Sequence, residues 1–475
     1  MLLGENLRAK ATRGGAWLGG GSAAEQVTRF ARNMLLTRLL APSAFGAMAI
    51  VLSSSSLVAT LSDVGIGPAV IQNPRGGEDE YLNAAWWIGI ARAICIYAMV
   101  FAAAPWIAQF YGNADLSALL RVTLLGTLFD GMLSPRSKLA QKEMKFGQFA
   151  AFSNGGAVCG VIVTVVLSFI MRSVWALAIG YCAENAFRCL FSYILCPGLP
   201  SLKLDRHAFR DLMVFSKGML GLSFLNLIFT RTDIFVLGKL YSPALLGIYT
   251  MGVYLIQTPT SFLINMLVQT LLPAFSHVQG DKERANRMLT EVTSWILLLG
   301  LPAVAMIWLC GPSLLRVIYG SRYAAASGAL ALAAGVALLN TLNSLITTQL
   351  YAAGRPSLHR RAVAASAVIM LVVTYPACKY LGLAGGQIAA LIAITASYFL
   401  QVVRAREIMG LRLLHYGRAL APATLVSAGV VIAGVAARFF GLAITPLANI
   451  AFAIAAWLIA CSLCAPAIVK IREYR

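Results

Sequence analysis

The sequence is poor in charge. Only 12% of its 475 residues are Asp, Glu, Lys or Arg, against roughly 25% in a soluble globular domain. Hydrophobic residues reach 59% and the mean hydropathy is +0.77, which excludes an ordinary soluble enzyme. Acid is scarcest: 18 acidic residues against 38 basic ones leave a net charge of +20. Histidine is rare, and His207, His277, His359 and His415 stand far apart in polar loops, so no metal site is implied. No loop holds the paired cysteines of a disulfide framework. Eight of the nine (Cys95, Cys159, Cys182, Cys189, Cys310, Cys378, Cys461 and Cys464) lie in apolar runs and read as small packing residues. The chain lacks a G-x-x-x-x-G-K-[ST] loop, so it carries no ATP site of that kind. No cofactor is expected. The basic N-terminal stretch is not followed by a short apolar run with a cleavage site and reads as a retained cytoplasmic end.

Long apolar runs fill the rest. A membrane span needs about 20 mostly apolar residues, and fourteen such runs follow one another: 15–38, 44–71, 84–109, 116–134, 148–170, 174–195, 212–238, 244–271, 289–310, 325–350, 362–379, 383–403, 419–438 and 446–469. Lipid offers the backbone no hydrogen-bond partners, so each run must be a helix. The expectation is an all-α polytopic membrane protein with about 14 transmembrane helices. With the N-terminus inside, 24 Lys and Arg residues fall on the cytoplasmic side, 6 on the other and 8 within spans. That bias places both termini in the cytoplasm. It also assigns the +20 to topology and anionic lipid, not to nucleic acid.

A long repeat runs through the pattern. Arg38-Leu-Leu-Ala-Pro42-Ser-Ala-Phe-Gly46 follows the first span, and Lys239-Leu-Tyr-Ser-Pro243-Ala-Leu-Leu-Gly247 follows the seventh, displaced by 201 residues. Pro105 through Tyr111-Gly112 is echoed by Pro312 through Tyr319-Gly320. Proline and glycine in this order make tight exit and re-entry turns. The repeat predicts two six-helix lobes, residues 1–211 and 212–403, with spans 13 and 14 and a cytoplasmic tail appended over 404–475. Six is even, so the lobes insert alike, with a cavity expected between them near the bilayer middle.

Charges inside spans are the best pointers to function. Glu25, Arg29 and Arg32 share one face of the first span. At about 2.5 to 3.5 kcal/mol for each charge at a helix centre, that face must meet water or protein. Glu25 and Arg29 can pair at i, i+4, as can Glu184 and Arg188; Arg32 then calls for an anion from elsewhere. Other spans add Asp63, Arg92, Arg121, Asp130, Lys217, Arg231 and Asp233. As structural elements, Glu184–Arg188, and Asp233 with a neighbouring basic residue, hold helices in register. As functional elements, eight cations against five acids make a basic cavity, and phosphate matches guanidinium forks. Arg29, Arg32, Arg92, Lys217 and Arg231 are the candidate anion-binding residues. Glu25, Asp63, Glu184, Arg188 and Asp233 are candidates for ion coupling or structural pairing.

Arg38 through Gly46, followed by Leu61-Ser-Asp63-Val-Gly-Ile-Gly-Pro-Ala-Val-Ile-Gln72, resembles the opening of bacterial polysaccharide transporters of the Wzx type. Arg231-Thr-Asp233-Ile-Phe-Val-Leu-Gly238 and Leu272-Pro273-Ala-Phe-Ser276 resemble the same family's second half. The resemblance covers essentially the whole chain. It implies membership of the multidrug/oligosaccharidyl-lipid/polysaccharide exporter superfamily, with two six-helix bundles in a V-shaped, MATE/MurJ-like arrangement and alternating access. It further implies that first-span arginines handle a substrate pyrophosphate; Arg29 and Arg32 match that role by span and face, and Arg231 more loosely.

The expected function is therefore translocation of an undecaprenyl-pyrophosphate-linked oligosaccharide from the cytoplasmic to the periplasmic leaflet of a bacterial inner membrane, for exopolysaccharide or O-antigen. No bond changes, so no enzyme activity is expected. Partners are the lipid-linked glycan, membrane lipids, and the polymerase and other envelope polysaccharide assembly proteins. Three alternatives remain open: a membrane-embedded polymerase or glycosyltransferase, a MATE-like small-molecule exporter, and a structural scaffold. The first usually needs a sizeable outer loop with catalytic acids or arginines, whereas the longest outer loop holds Arg316 and Arg322 and no carboxylate. The second favours an acidic cavity for cationic substrates.

Overall fold

The computed structural model describes residues 2–61, 66–143, 145–201, 205–216, 220–411, 413–418, 420–439, 445–452, 454–455 and 457–458. Among them the chain is helical throughout. The first part comprises α1 (Leu2–Leu39), α2 (Pro42–Leu61), α3 (Ile66–Gln72), a 3-10 turn (Pro74–Gly77), α4 (Asp79–Tyr111), α5 (Asp115–Thr123), α6 (Leu125–Gly131), α7 (Ser137–Lys142), α8 (Phe146–Met171), α9 (Val174–Leu195) and α10 (Arg206–Ser216). The second comprises α11 (Leu220–Leu240), α12 (Pro243–His277), α13 (Lys282–Ile318), a 3-10 turn (Ser321–Ala326), α14 (Ser327–Ala352), α15 (Pro356–Leu381), α16 (Ala384–Met409), α17 (Leu413–Arg418) and α18 (Leu420–Phe439). Nine of the described helices are long and apolar enough to cross a bilayer. The chain is a multi-pass, all-α membrane protein. Neither α1 nor α9 is among the nine: each trades apolar residues for the charges discussed below.

Two compact units divide the chain within α11. An N-terminal unit holds Met1–Leu227 with Tyr241–Gly247, and a C-terminal unit holds Ile228–Leu240 with Ile248–Arg475. The single run expected over 116–134 is broken into α5 and α6 at Leu124. Gly126 of α6 gives Tyr181 and Asn185 of α9 close approach.

Pro42, Pro243, Gly112 and Gly320 stand at the turns expected of them, whereas Pro105, Pro312, Gly46 and Gly247 lie inside helices. Pro42 and Pro243 open α2 and α12, where a missing N–H is no loss. Gly112 and Gly320 follow α4 and α13 at φ +66° and +104°, backbone regions that side chains disfavour. Within the N-terminal unit the two motif copies meet. A methyl group on Gly46 would overlap the Pro243 carbonyl, and one on Gly247 would overlap the Pro42 carbonyl. The contact is reciprocal, residue for residue.

The layer that carries the charged cluster is equally close-packed. α8 presents Gly156, Gly160 and Thr164 one helical turn apart. Against them lie the backbone at Arg188, the backbone and Cβ of Glu184, and Gly180 of α9. On the same helix, Ala150 and Asn154 receive α1 at Gly21. Small residues let helix backbones approach where lipid supplies no hydrophobic drive for association. As a result, α1 and α9 flank one helix, and their charged side chains meet.

Candidate functional site

The N-terminal cluster is built from that packing. Arg29 on α1 donates from Nη2 to Glu184 Oε1 on α9 at 2.5 Å and from Nε to Glu25 Oε1 at 3.0 Å. Arg188, one turn beyond Glu184, reaches the same Oε1 at 3.3 Å. The Glu184 side chain is 6% exposed, whereas those of Arg29, Glu25 and Arg188 retain 22%, 23% and 23%. Both intrahelical pairs expected from the spacing form. The interhelical Arg29–Glu184 bond was not expected. No spacing rule links residues 155 positions apart, although the small-residue stripe on α8 was a legible sign of close packing.

Arg32 lies a turn along α1 from Arg29, half-buried, and grips Asn33 Oδ1 with Nε and Nη2 at 3.2 and 3.1 Å, among other contacts. Arg92 on α4 donates to the Ala59 carbonyl at 2.8 Å, supporting the final turn of α2, where carbonyls lack helical partners. Arg121 lies over the Phe101 ring, 4.3 Å from its centroid. Asp63 and Lys217 lie outside the described residues. Within the N-terminal unit the structure thus unites Glu25, Arg29, Glu184 and Arg188, with Arg32 a turn away.

The C-terminal unit holds a different arrangement. Asp233 on α11 is buried. Its Oδ2 accepts from the Tyr249 hydroxyl of α12 at 2.5 Å, and its Oδ1 accepts from the Ile234 amide at 2.9 Å. Tyr249 in turn accepts from Gln387 Nε2 of α16 at 2.7 Å. A side chain at Gly386 would strike the Tyr249 hydroxyl and Asp233 Cβ, so glycine is what lets the three groups close. Among the described residues Asp233 is held by a phenol and an amide, not by the basic mate expected for it. Arg231, two residues along, projects about 200° round the helix from Asp233 and acts on it only through its field. Tyr249 and Gln387 were missed because a search for charges passes over neutral donors.

Among the described residues no cluster of His, Cys, Asp and Glu could hold a metal ion. A cavity of about 820 Å³ in the C-terminal unit is lined by apolar residues including Leu301, Trp308 and Leu332, and by none of the candidate site residues.

The family model for polysaccharide biosynthesis protein matches residues 35–328. The succinoglycan biosynthesis transport protein ExoT of Rhizobium meliloti (strain 1021) is 24% identical over 311 residues, 65% of this chain and 63% of that protein, so the match leaves over a third of that relative unspanned. The amylovoran biosynthesis protein AmsL of Erwinia amylovora is 24% identical over 365 residues, 74% of this chain and 91% of that one. Among solved structures, lipid II flippase MurJ in an inward closed conformation superposes with a TM-score of 0.76, at 12% identity, over 94% of this chain and 98% of that one, which establishes a shared fold. With the model spanning most of its length, and a fold that agrees, the chain belongs to the polysaccharide biosynthesis protein family.

Proposed function

We propose that the protein is a flippase that carries an undecaprenyl-pyrophosphate-linked oligosaccharide from the cytoplasmic to the periplasmic leaflet by alternating access, in the inner membrane and with both termini cytoplasmic. The observation that carries this reading is the guanidinium-rich face of α1: Arg29 and Arg32, both half-buried, in a chain whose relatives include a succinoglycan transport protein. The physical task is to take a diphosphate through hydrocarbon, where the idealised cost of burying one bare ion is about 20 kcal/mol. Fixed guanidinium forks replace the lost water with charge-assisted hydrogen bonds. No covalent bond changes, so the chemistry needs neither nucleophile nor metal.

Arg92 and Arg231 join this reading as further cations, each within its own unit, and Lys217 by sequence alone. Asp233 takes the role of coupling group. A carboxyl held by neutral donors can gain a proton without stranding a buried cation, as loss of charge at Glu184 would. Family membership and fold favour this reading over a membrane polymerase. The arginines of α1 favour it over an exporter of cations.

The test is a strain lacking this chain. Lipid-linked glycan should accumulate on the cytoplasmic leaflet, and the wild-type gene should clear it, whereas equally expressed Arg32→Ala and Arg29→Ala should not. Arg32→Lys should restore clearance partly, since an ammonium keeps charge but loses the bidentate fork. Full clearance by all three variants would remove the anion-docking role.

A further inference from the structure

We infer that Glu184 is a resident anion that trades Arg29 with the substrate's diphosphate, with Arg188 holding the displaced carboxylate. The inference rests on the flippase reading above and adds a specificity and release device to it. As it stands the four-residue cluster is neutral: Arg29 and Arg188 are balanced by Glu25 and Glu184. A diphosphate gains the Nε–Nη2 edge of Arg29, the edge that forms a bidentate fork, only by displacing a carboxylate. Glu25 sits one turn away on the same helix, 23% exposed, and can turn toward the open side. Glu184 is nearly buried, and its backbone and Cβ pack so closely on Gly160 that a methyl group there would overlap them, so its side chain is the part with freedom to turn.

The geometry provides for that movement. Glu184 Oε1 already lies between two guanidiniums, 2.5 Å from Arg29 and 3.3 Å from Arg188. Arg188 has hydrogen-bonding capacity to spare: its Nε is buried without a hydrogen-bond partner. When a diphosphate claims Arg29, Glu184 moves fully onto Arg188 and no charge is left stranded in the low-dielectric layer. When the substrate reaches the far leaflet, Glu184 reclaims Arg29 and expels it. A carrier must bind its cargo firmly enough to load and weakly enough to unload. A competing carboxylate sets that compromise.

The experiment titrates inorganic pyrophosphate into the purified full chain in detergent and measures transport of lipid-linked glycan in proteoliposomes. Glu184→Gln should tighten pyrophosphate binding about tenfold, equivalent to about 1.4 kcal/mol, while slowing turnover because product stays bound. Arg188→Gln should do the reverse for binding, since Glu184 then has only Arg29. Glu184→Asp keeps the charge but shortens the reach, should tighten binding by a smaller factor, and decides the matter if the Gln variant fails to fold. Unchanged or weaker binding in the Glu184 variants, with Arg29→Ala losing it, would overturn the exchange and leave diphosphate docking intact. Wild-type binding and transport in both Arg29→Ala and Arg32→Ala would overturn the docking reading itself.

Discussion

Arg32 stands ten residues before Pro42, and Asp233 stands ten residues before Pro243. The two positions are equivalent in the sequence repeat, on helices followed by the same proline-led turn, yet they carry opposite charge. Around Arg29, a turn from Arg32, the N-terminal unit uses ion pairs that share acceptors and remain part-exposed. Around Asp233 the C-terminal unit uses a tyrosine, a glutamine and a backbone amide, all buried. On the proposed reading, the first set exchanges one anion for another. The second set is arranged around one carboxyl, and on the same reading its ligand is a proton. The two copies of the sequence motif thus share their proline and glycine positions and differ in the charges that precede them.

The most damaging way to break this comparison is to remove what the halves share. Gly46→Val or Gly247→Val places a side chain on an opposing backbone carbonyl that cannot yield. The expected outcome is loss of folded protein from the membrane, read as monodisperse yield and thermal melting. The next effect is on the charged station itself. Arg29→Ala should cost about 2 to 5 kcal/mol of diphosphate affinity, the range for truncating one member of a buried charge pair, checked by pyrophosphate titration. Asp233→Asn sharpens the contrast. It should leave pyrophosphate affinity near wild type while abolishing acceleration of transport by a proton gradient.

Smaller changes probe the supports. Tyr249→Phe leaves Asp233 short of a donor, a cost of about 1 to 3 kcal/mol, and should shift the gradient dependence without altering pyrophosphate binding. Gly160→Ala should destabilise the N-terminal unit by about 1 to 3 kcal/mol through overpacking and, by displacing Glu184 from Arg29, tighten pyrophosphate binding. Arg404→Ala, which breaks an exposed pair with Glu407, should change stability by less than about 1 kcal/mol.

Most of the fold was legible because lipid imposes helices on apolar runs, and α9 even begins and ends at the expected residues. The break at Leu124 was not, because hydropathy reports burial in lipid and is blind to a kink satisfied by a neighbouring helix. The pairs Glu25–Arg29 and Glu184–Arg188 could be read from helical spacing alone. The bond from Arg29 to Glu184 needs α1 and α9 to flank α8, and that order comes from Gly21, Gly156 and Gly160 acting together, not from any one motif. Asp233 was visible as a buried charge, but its phenol and amide partners look like ordinary polar residues in sequence.

The central claim is that the arginines of α1 carry a diphosphate-linked glycan across the bilayer. Proteoliposomes loaded with a lectin-readable polyprenyl-diphosphate oligosaccharide on the leaflet matching the cytoplasmic side test it directly. Wild-type protein should bring the sugar to lectin on the opposite leaflet, and Arg32→Ala, folded and inserted at the same density, should not. Equal rates in the two preparations, or no transfer above protein-free vesicles by the wild type, would contradict the account.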